Sequence, residues 1–174
     1  DRLVTDGHAV GLVATQPDRP AGRGRDLRPP PIKLAAERHG LTLVQPERGS
    51  DPRFLAAVRE ARPEIAVVVA FGQFLPRAIR ELPPLGCINV HASLLPKYRG
   101  AAPIHRAVMA GDDETGVTIM RVEGRMDAGP ILLQREFPLS DCTYIGEVYA
   151  FLSSVIPEMF AETLDGLTSG KIKP

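Results

Sequence analysis

The stretch that decides the fold runs from residue 88 to residue 100 and reads INVHASLLPKYRG. With the preceding cysteine it begins as a short apolar run, residues 87–90, which is typical of a buried strand. Asn89 and His91 lie two positions apart, and since side chains alternate faces along a strand, both should leave it on the same face. In an open α/β sheet, ligands bind outside the carboxyl ends of the strands. The stretch therefore predicts a strand whose end carries a polar site.

A second apolar run, residues 65–70, has the continuous hydrophobicity of a parallel strand that is covered on both faces. Further strands are expected at residues 8–15, 41–44, 116–122 and 130–135, and helices at residues 32–39, 52–61, 76–81, 101–110 and 144–167. This alternation predicts an α/β fold with a doubly wound, mostly parallel, Rossmann-like sheet and helices on both faces. The last two strands are joined by a short turn and need not be parallel. Pro157 should kink or split the last helix.

Residues 16–31 are rich in proline and arginine. Proline fixes φ and removes a backbone donor, so this segment should be neither helix nor central strand. It predicts a long basic loop, and a loop of this length inside a compact domain usually has a function. The alternative is a solvated connector with scattered charge. Its arginines are Arg19, Arg23, Arg25 and Arg28.

Composition narrows the class of protein. The 174 residues hold 21 Lys and Arg against 21 Asp and Glu, a formal net charge of +0, which excludes a wholly basic nucleic-acid coat but leaves room for a local basic patch. Cys87 and Cys142 have neither metal-site spacing nor a disulfide framework, and free thiols in a reducing cytoplasm are expected. The sequence has no apolar run of about 18 residues, the length of a membrane span. We expect a cytoplasmic protein without a metal.

The chemistry-bearing residues are Asn89, His91 and Asp127. Each alone has an ordinary explanation, as a turn former or a structural histidine. Together they supply a carboxamide to stabilise an oxyanion, an imidazole to move a proton and a carboxylate to hold that imidazole. The chain lacks the glycine-rich fingerprints of nucleotide-binding sites, and neither a serine nor a cysteine is evidently paired with the base. The set favours direct acyl transfer through a tetrahedral intermediate, with the substrate's own amine as nucleophile.

Three ordered motifs carry a resemblance to a known family. Residues 89–100, together with 115–118 (TGVT) and 126–132 (MDAGPIL), resemble the formyltransferases that use 10-formyltetrahydrofolate. Residues 15–24 and 101–107 are similar to the members of that family that act on methionyl initiator tRNA. The resemblance covers about residues 9–139.

This resemblance implies a role for each site residue. Asn89 and His91 would polarise the formyl carbonyl, and Asp127 would hold His91 and assist proton movement from the attacking amine. The basic loop would reach the acceptor end of the tRNA through Arg19, Arg23, Arg25 and Arg28. The folate would contact Gly72, Gln73, Phe74, Leu75, Ser93, Leu94, Leu95 and Pro96. A monomer is favoured, with folate and tRNA as its partners.

The family pattern also implies the extent of the domain. Residues 1–168 would form a formyltransferase catalytic domain that lacks the family's first strand, and residues 169–174 would begin a linker to an absent, barrel-like C-terminal domain. Other readings stay open at this point. The acceptor could be an amino-sugar nucleotide or a glycinamide-type ribonucleotide, water could replace the amine and hydrolyse the formylfolate, or the chain could be an inactive folate- or RNA-binding module.

Overall fold

The computed structural model of the protein describes residues 1–21, 26–139 and 144–172. The chain divides into two compact units. The first comprises Asp1–Glu64 and Phe71–Pro84, and the second comprises Ile65–Ala70 and Leu85–Pro174.

The described part of the first unit is built from short helices and strands. In chain order these are α1 (Arg2–Thr5), β1 (Val13–Ala14), β2 (Arg19–Ala21), β3 (Asp26–Arg28), α2 (Pro31–Arg38), β4 (Leu43–Val44), α3 (Pro52–Ala61) and α4 (Arg77–Arg80). Strand β1 pairs in parallel with β4, and β2 pairs antiparallel with β3. The predicted strand at residues 8–15 is thus much shorter than expected, since only Val13 and Ala14 join a ladder.

Helix α3 has the bounds that its sequence predicts. The Asp51 carboxylate accepts a hydrogen bond from the Arg53 backbone N–H at 2.8 Å, which satisfies one of the free donors of the first turn. Pro52 occupies the first helical position, where its missing N–H costs nothing. Phe54 and Val58 are buried on one face of the helix, and the Phe54 ring lies 6.1 Å from the ring of Phe71.

The predicted basic loop contains a small ribbon. Strands β2 and β3 pair so that Pro20 lies opposite Leu27 and Arg19 opposite Arg28. In a two-stranded ribbon each strand has one open edge, so a proline is tolerated where its missing donor faces outward. The segment is therefore not central strand, as predicted, but it is also not wholly loop. Arg23 and Arg25 lie outside the described residues.

The second unit holds the longer sheet. Its described elements are β5 (Ala66–Val69), β6 (Cys87–His91), α5 (Pro103–Ala110), β7 (Glu114–Arg121), β8 (Ile131–Pro138) and α6 (Ile145–Thr168). The strand order is β5-β6-β7-β8. Strands β5 and β6 are parallel, whereas β7 is antiparallel to both of its neighbours. The core of the sheet is formed by fully buried side chains such as Ile88, Val117 and Ile119.

Helix α6 is continuous over 24 residues although it contains Pro157, so the predicted split does not occur. Proline removes the N–H that would bond the carbonyl of Ser153. Ser153 is exposed, and water can satisfy that carbonyl in place of the helix bond. None of the helices in the described ranges is long and apolar enough to cross a membrane.

Candidate active site

Strand β6 positions Asn89 and His91 at its carboxyl end. Asn89 lies opposite Met120 and His91 opposite Thr118 on β7, so both side chains leave the same face, as predicted. His91 is 7% exposed, whereas Asn89 is half-buried. The Asn89 carboxamide makes no hydrogen bond to another described residue, and its N–H groups are therefore available to a ligand.

His91 contacts two acceptors. Its Nε2 lies 2.9 Å from the carbonyl oxygen of Tyr98, and because a carbonyl only accepts, Nε2 must carry a hydrogen. Its Nδ1 lies 3.5 Å from Oδ2 of Asp127. A proton on Nδ1 would turn this contact into an ion pair with the Asp127 carboxylate. The pair can thus hold one proton between an imidazole and a carboxylate.

Asp127 is held by its own backbone and by Gly100. It lies in the turn between β7 and β8 with a φ of 46°, a left-handed conformation that aspartate tolerates better than most residues. The Gly100 N–H donates to the same Oδ2 at 2.8 Å. Oδ1 of Asp127 makes no hydrogen bond within the described residues, which leaves it as the oxygen that can accept a proton from a substrate.

The segment after the β6 turn is fixed through its carbonyl groups, a feature that the sequence gives no means to predict. Three successive carbonyl oxygens each accept a side-chain hydrogen bond. They are that of Lys97 from the Ser93 hydroxyl at 2.7 Å, that of Tyr98 from His91 Nε2 at 2.9 Å and that of Arg99 from Arg106 Nη2 at 2.5 Å. The backbone beside His91 is therefore preorganised.

Thr118 and Gln134 hold the turn at residues 94–96. The fully buried Thr118 hydroxyl donates to the carbonyl of Ser93 at 2.7 Å and accepts from the Leu95 N–H at 3.1 Å and from Gln134 Nε2 at 2.8 Å. Gln134 Nε2 also lies 3.0 Å from the Leu95 carbonyl oxygen. The sequence signal for this network is a threonine inside the apolar run of residues 117–120, a signal that our sequence analysis missed.

The predicted folate residues of this turn divide into two groups. Ser93 is fully buried and Leu95 is 6% exposed. The Ser93 hydroxyl donates to the carbonyl of Lys97, so this side chain supports the turn from inside, and its contact with folate stays a prediction. Leu94 is half-buried and Pro96 is exposed, so these two present side-chain surface to a ligand.

The other predicted folate residues, Gly72–Leu75, lie in the first unit. Phe74 is 68% exposed, whereas Leu75 is 8% exposed and belongs to the core. Gln73 Nε2 donates to the carbonyl of Pro46 at 3.0 Å, and Gln73 Oε1 is buried without a hydrogen-bond partner among the described residues. A cavity of about 290 Å³ lies beside Gln73 and Phe74. Within this segment, Gly72 and Phe74 are the exposed residues.

The ribbon formed by β2 and β3, which carries Arg19 and Arg28, follows an aspartate that is held by two hydrogen bonds. The Asp18 carboxylate accepts hydrogen bonds from Gln45 Nε2 at 2.6 Å and from Lys33 Nζ at 2.7 Å, and these contacts lower the pKa of Asp18. On the ribbon itself, Arg19 and Arg28 are directly opposite each other. Like charges in such a cross-strand pair repel, and an anionic ligand would relieve that repulsion.

Among the described residues, no group of three or more His, Cys, Asp or Glu side chains is arranged to hold a metal ion. Cys87 is 2% exposed in β6, and Cys142 lies outside the described ranges.

The chain is similar to known proteins over most of its length. A family described as formyl transferase matches residues 2–164. This chain belongs to the formyl transferase family.

Its relatives include a methionyl-tRNA formyltransferase from Pelobacter propionicus, 48% identical over 99% of this chain and 54% of the relative. Another, from Enterococcus faecalis, is 47% identical over 100% of this chain and 56% of the relative. The chain thus spans about half the length of the curated relatives it matches.

Solved structures confirm the α/β, Rossmann-like fold of this formyl transferase chain. A phosphoribosylglycinamide formyltransferase from Anaplasma phagocytophilum superimposes with a TM-score of 0.81 at 21% identity, over 99% of this chain and 80% of that one. One from Bacillus halodurans gives a TM-score of 0.79 at 20% identity, over 94% and 82%.

Proposed function

We propose that this chain carries the catalytic machinery for transfer of a formyl group from 10-formyltetrahydrofolate to the free amino group of methionyl initiator tRNA. The observation that carries the proposal is the 48% identity, over nearly the whole chain, to a protein named methionyl-tRNA formyltransferase. The fold alone does not choose the acceptor, because enzymes that formylate a glycinamide ribonucleotide share it.

In this proposal the donor supplies an electrophilic formyl carbon, and Asn89 stabilises the oxygen on which charge develops. The carboxamide is half-buried and makes no bond to a described residue, so it is already free for that oxygen. A preorganised oxyanion donor of this kind typically contributes about 2.7–4 kcal/mol of transition-state stabilisation.

Asp127 and His91 handle the proton and the charge. As the bond between the amine nitrogen and the formyl carbon forms, Asp127 Oδ1 accepts a proton from the amine, directly or through water. Protonated His91 offers positive charge to the oxyanion through Nδ1, since Nε2 is bonded to the Tyr98 carbonyl. The bond between the formyl carbon and N10 of the folate then breaks, and N10 takes up the proton. The step yields an N-formyl amine and tetrahydrofolate.

The binding surfaces follow from exposure and charge. In the second unit, the exposed surfaces of Leu94 and Pro96 would contact the folate. Arginine contacts to phosphate supply affinity without a basic protein overall, and the opposed pair Arg19 and Arg28, with Arg23 and Arg25 between them in sequence, would contact the tRNA backbone. We expect the chain to act in the cytoplasm and as a monomer.

The test is to identify the product. The chain is incubated with 10-formyltetrahydrofolate and, in separate reactions, charged methionyl initiator tRNA, an amino-sugar nucleotide and glycinamide ribonucleotide. We expect the mass increment of one formyl group on the methionyl-tRNA and on neither small acceptor. Formylation of a small acceptor alone would replace the proposed substrate, and release of free formate in all reactions would indicate hydrolysis.

A further inference from the structure

Tyr98 has an unusual backbone conformation next to the site. Its φ of 56° lies in the left-handed region, which bulky residues rarely adopt. Such conformations persist only where the surroundings hold them, and they cluster at functional sites. In this conformation the Tyr98 carbonyl oxygen lies 2.9 Å from His91 Nε2, so the strain and the histidine contact occur at one residue.

Arg106 on α5 holds this residue from outside. The guanidinium carbon lies 5.5 Å from the centroid of the Tyr98 ring, within the range of a cation–π contact. The same side chain donates from Nη2 to the carbonyl of Arg99, the next residue, at 2.5 Å. One arginine thus fixes both the ring of Tyr98 and the peptide that follows it. The Asp112 carboxylate, which the Tyr98 hydroxyl faces, raises the pKa of Tyr98.

We propose that Arg106 is a positioning residue which, through Tyr98 and Arg99, keeps the Tyr98 carbonyl on His91 Nε2 and so leaves Nδ1 as the working nitrogen. A neutral imidazole without such a partner exchanges between two tautomers, and only the form with hydrogen on Nε2 leaves Nδ1 free to take a proton. Arg106 itself is exposed and bonds to the backbone of Arg99 rather than to a catalytic group.

The consequence for catalysis rests on the proposed function, because it assumes that His91 acts in formyl transfer. The tautomer itself does not depend on that assumption, since it is a property of the protein without substrate. The two ideas can therefore fail separately.

The experiment is nitrogen-15 NMR of the whole chain with labelled histidine, at a pH where His91 is neutral. The chain has 4 histidines, and the signals of His91 are assigned by their loss in His91→Gln. We expect a single tautomer with hydrogen on Nε2 in the parent and a mixture of both tautomers in Arg106→Ala. Arg106→Lys keeps a donor for the Arg99 carbonyl and should retain the single tautomer.

Arg59 offers a matched control, since it is an exposed arginine on α3 and Arg59→Ala should leave the His91 signals unchanged. A single Nε2–H tautomer in Arg106→Ala would overturn the proposal, as would a mixture in Arg106→Lys or in the parent. Loss of the fold in Arg106→Ala would also contradict it, because a side chain that only orients a loop does not maintain the fold.

A kinetic comparison supplies the second readout. In Arg106→Ala, kcat for formyl transfer should fall by about tenfold while KM for the acceptor stays nearly constant, as expected when a catalytic group is misplaced. An unchanged kcat together with mixed tautomers would remove the catalytic role. A tautomer shift in a chain that transfers no formyl group would leave the positioning of His91 standing and reject the proposed function.

Discussion

Asn89 is the site residue with the simplest expected phenotype. Its carboxamide has no hydrogen-bond partner among the described residues, so Asn89→Ala leaves no described protein group unpaired. We expect kcat/KM to fall on the order of a few hundredfold, which corresponds to a loss of about 2.7–4 kcal/mol of transition-state stabilisation. Steady-state kinetics measure this, with thermal unfolding as a check that the fold is kept. A variant within a factor of two of the parent would exclude an oxyanion role.

Asp127 calls for a different substitution. Asn is the matched replacement because it tolerates the left-handed conformation of this turn and its carbonyl oxygen can still accept from the Gly100 N–H. Asp127→Asn should therefore keep the fold and the affinity for folate but slow transfer by about 10²–10⁴-fold, the usual contribution of a general base.

Fluorescence titration with folate and single-turnover kinetics separate the two effects of Asp127→Asn. Equal losses in binding and in transfer would mean that Asp127 is a structural turn residue.

Side-chain chemistry at the site was readable from the sequence, and its backbone contacts were not. Asn89, His91 and Asp127 were predicted as a site because a carboxamide, an imidazole and a carboxylate form a chemically useful set. The carbonyl of Tyr98 and the N–H of Gly100 were not, because every residue carries such groups and only the folded chain selects which of them face the site. For the same reason the burial of Ser93 was missed.

At the scale of elements, the N-terminus of α3 predicts a pH dependence. The hydrogen bonds from the Arg53 side chain and backbone lower the pKa of Asp51 below its ordinary value of 3.8. This stabilisation is complete above the unfolded-state pKa and is lost as the pH falls through the lower pKa of the folded state. The melting temperature should therefore fall as the pH is lowered below about 4.

Asp51→Asn isolates this contribution, since an asparagine still caps the helix but does not titrate. Melting temperatures recorded from pH 6 to pH 3 should converge for the parent and the variant at the acid end. Parallel curves over the whole range would show that Asp51 contributes nothing to the acid sensitivity.

Two glycines test the packing of β7 and α6. A Cβ on Gly116 would approach the Arg135 carbonyl oxygen and the Leu94 side chain too closely, so Gly116→Ala should destabilise the protein by about 1–3 kcal/mol. A Cβ on Gly146, in the first turn of α6, has open space around it.

Gly146→Ala is the control and should stabilise the protein by about 0.5 kcal/mol, because alanine loses less conformational entropy in a helix. Denaturant unfolding of both variants measures the difference. A neutral Gly116→Ala would contradict the close approach of β7 to β8 and to the turn at residue 94.

Local signals explain which elements could be predicted. Helix α3 has a capping aspartate, a proline in the first turn and an amphipathic pattern, so its bounds matched. The ribbon β2–β3 was missed because proline argues against strands in a sheet and says nothing about an isolated pair. Helix α6 was expected to kink or split at Pro157, but Ser153 is an exposed residue, so water can bond its carbonyl, and the packing of buried residues such as Met159 and Phe160 continues past the proline.

Over the whole molecule the positive and negative charges balance, but positive charge is concentrated locally. The net charge of +0 coexists with a ribbon in which Arg19 and Arg28 face each other, so affinity for a polyanion would be local and sensitive to salt. Alternating strands and helices were sufficient to predict the fold class, which the solved formyltransferase structures confirm. The pairing of β6 with β7 in antiparallel orientation depended on contacts that alternation alone does not specify.

The proposed formyl transfer depends on the pair His91 and Asp127 together with Asn89. The most direct measurement is single-turnover formylation of methionyl initiator tRNA with the chain in excess, comparing the parent with His91→Gln. We predict formylated methionine that depends on 10-formyltetrahydrofolate, formed by the variant at least about 10²-fold more slowly. Equal rates in the two proteins would rule out a catalytic role for His91, and the absence of formylated product in the parent would reject the proposed function.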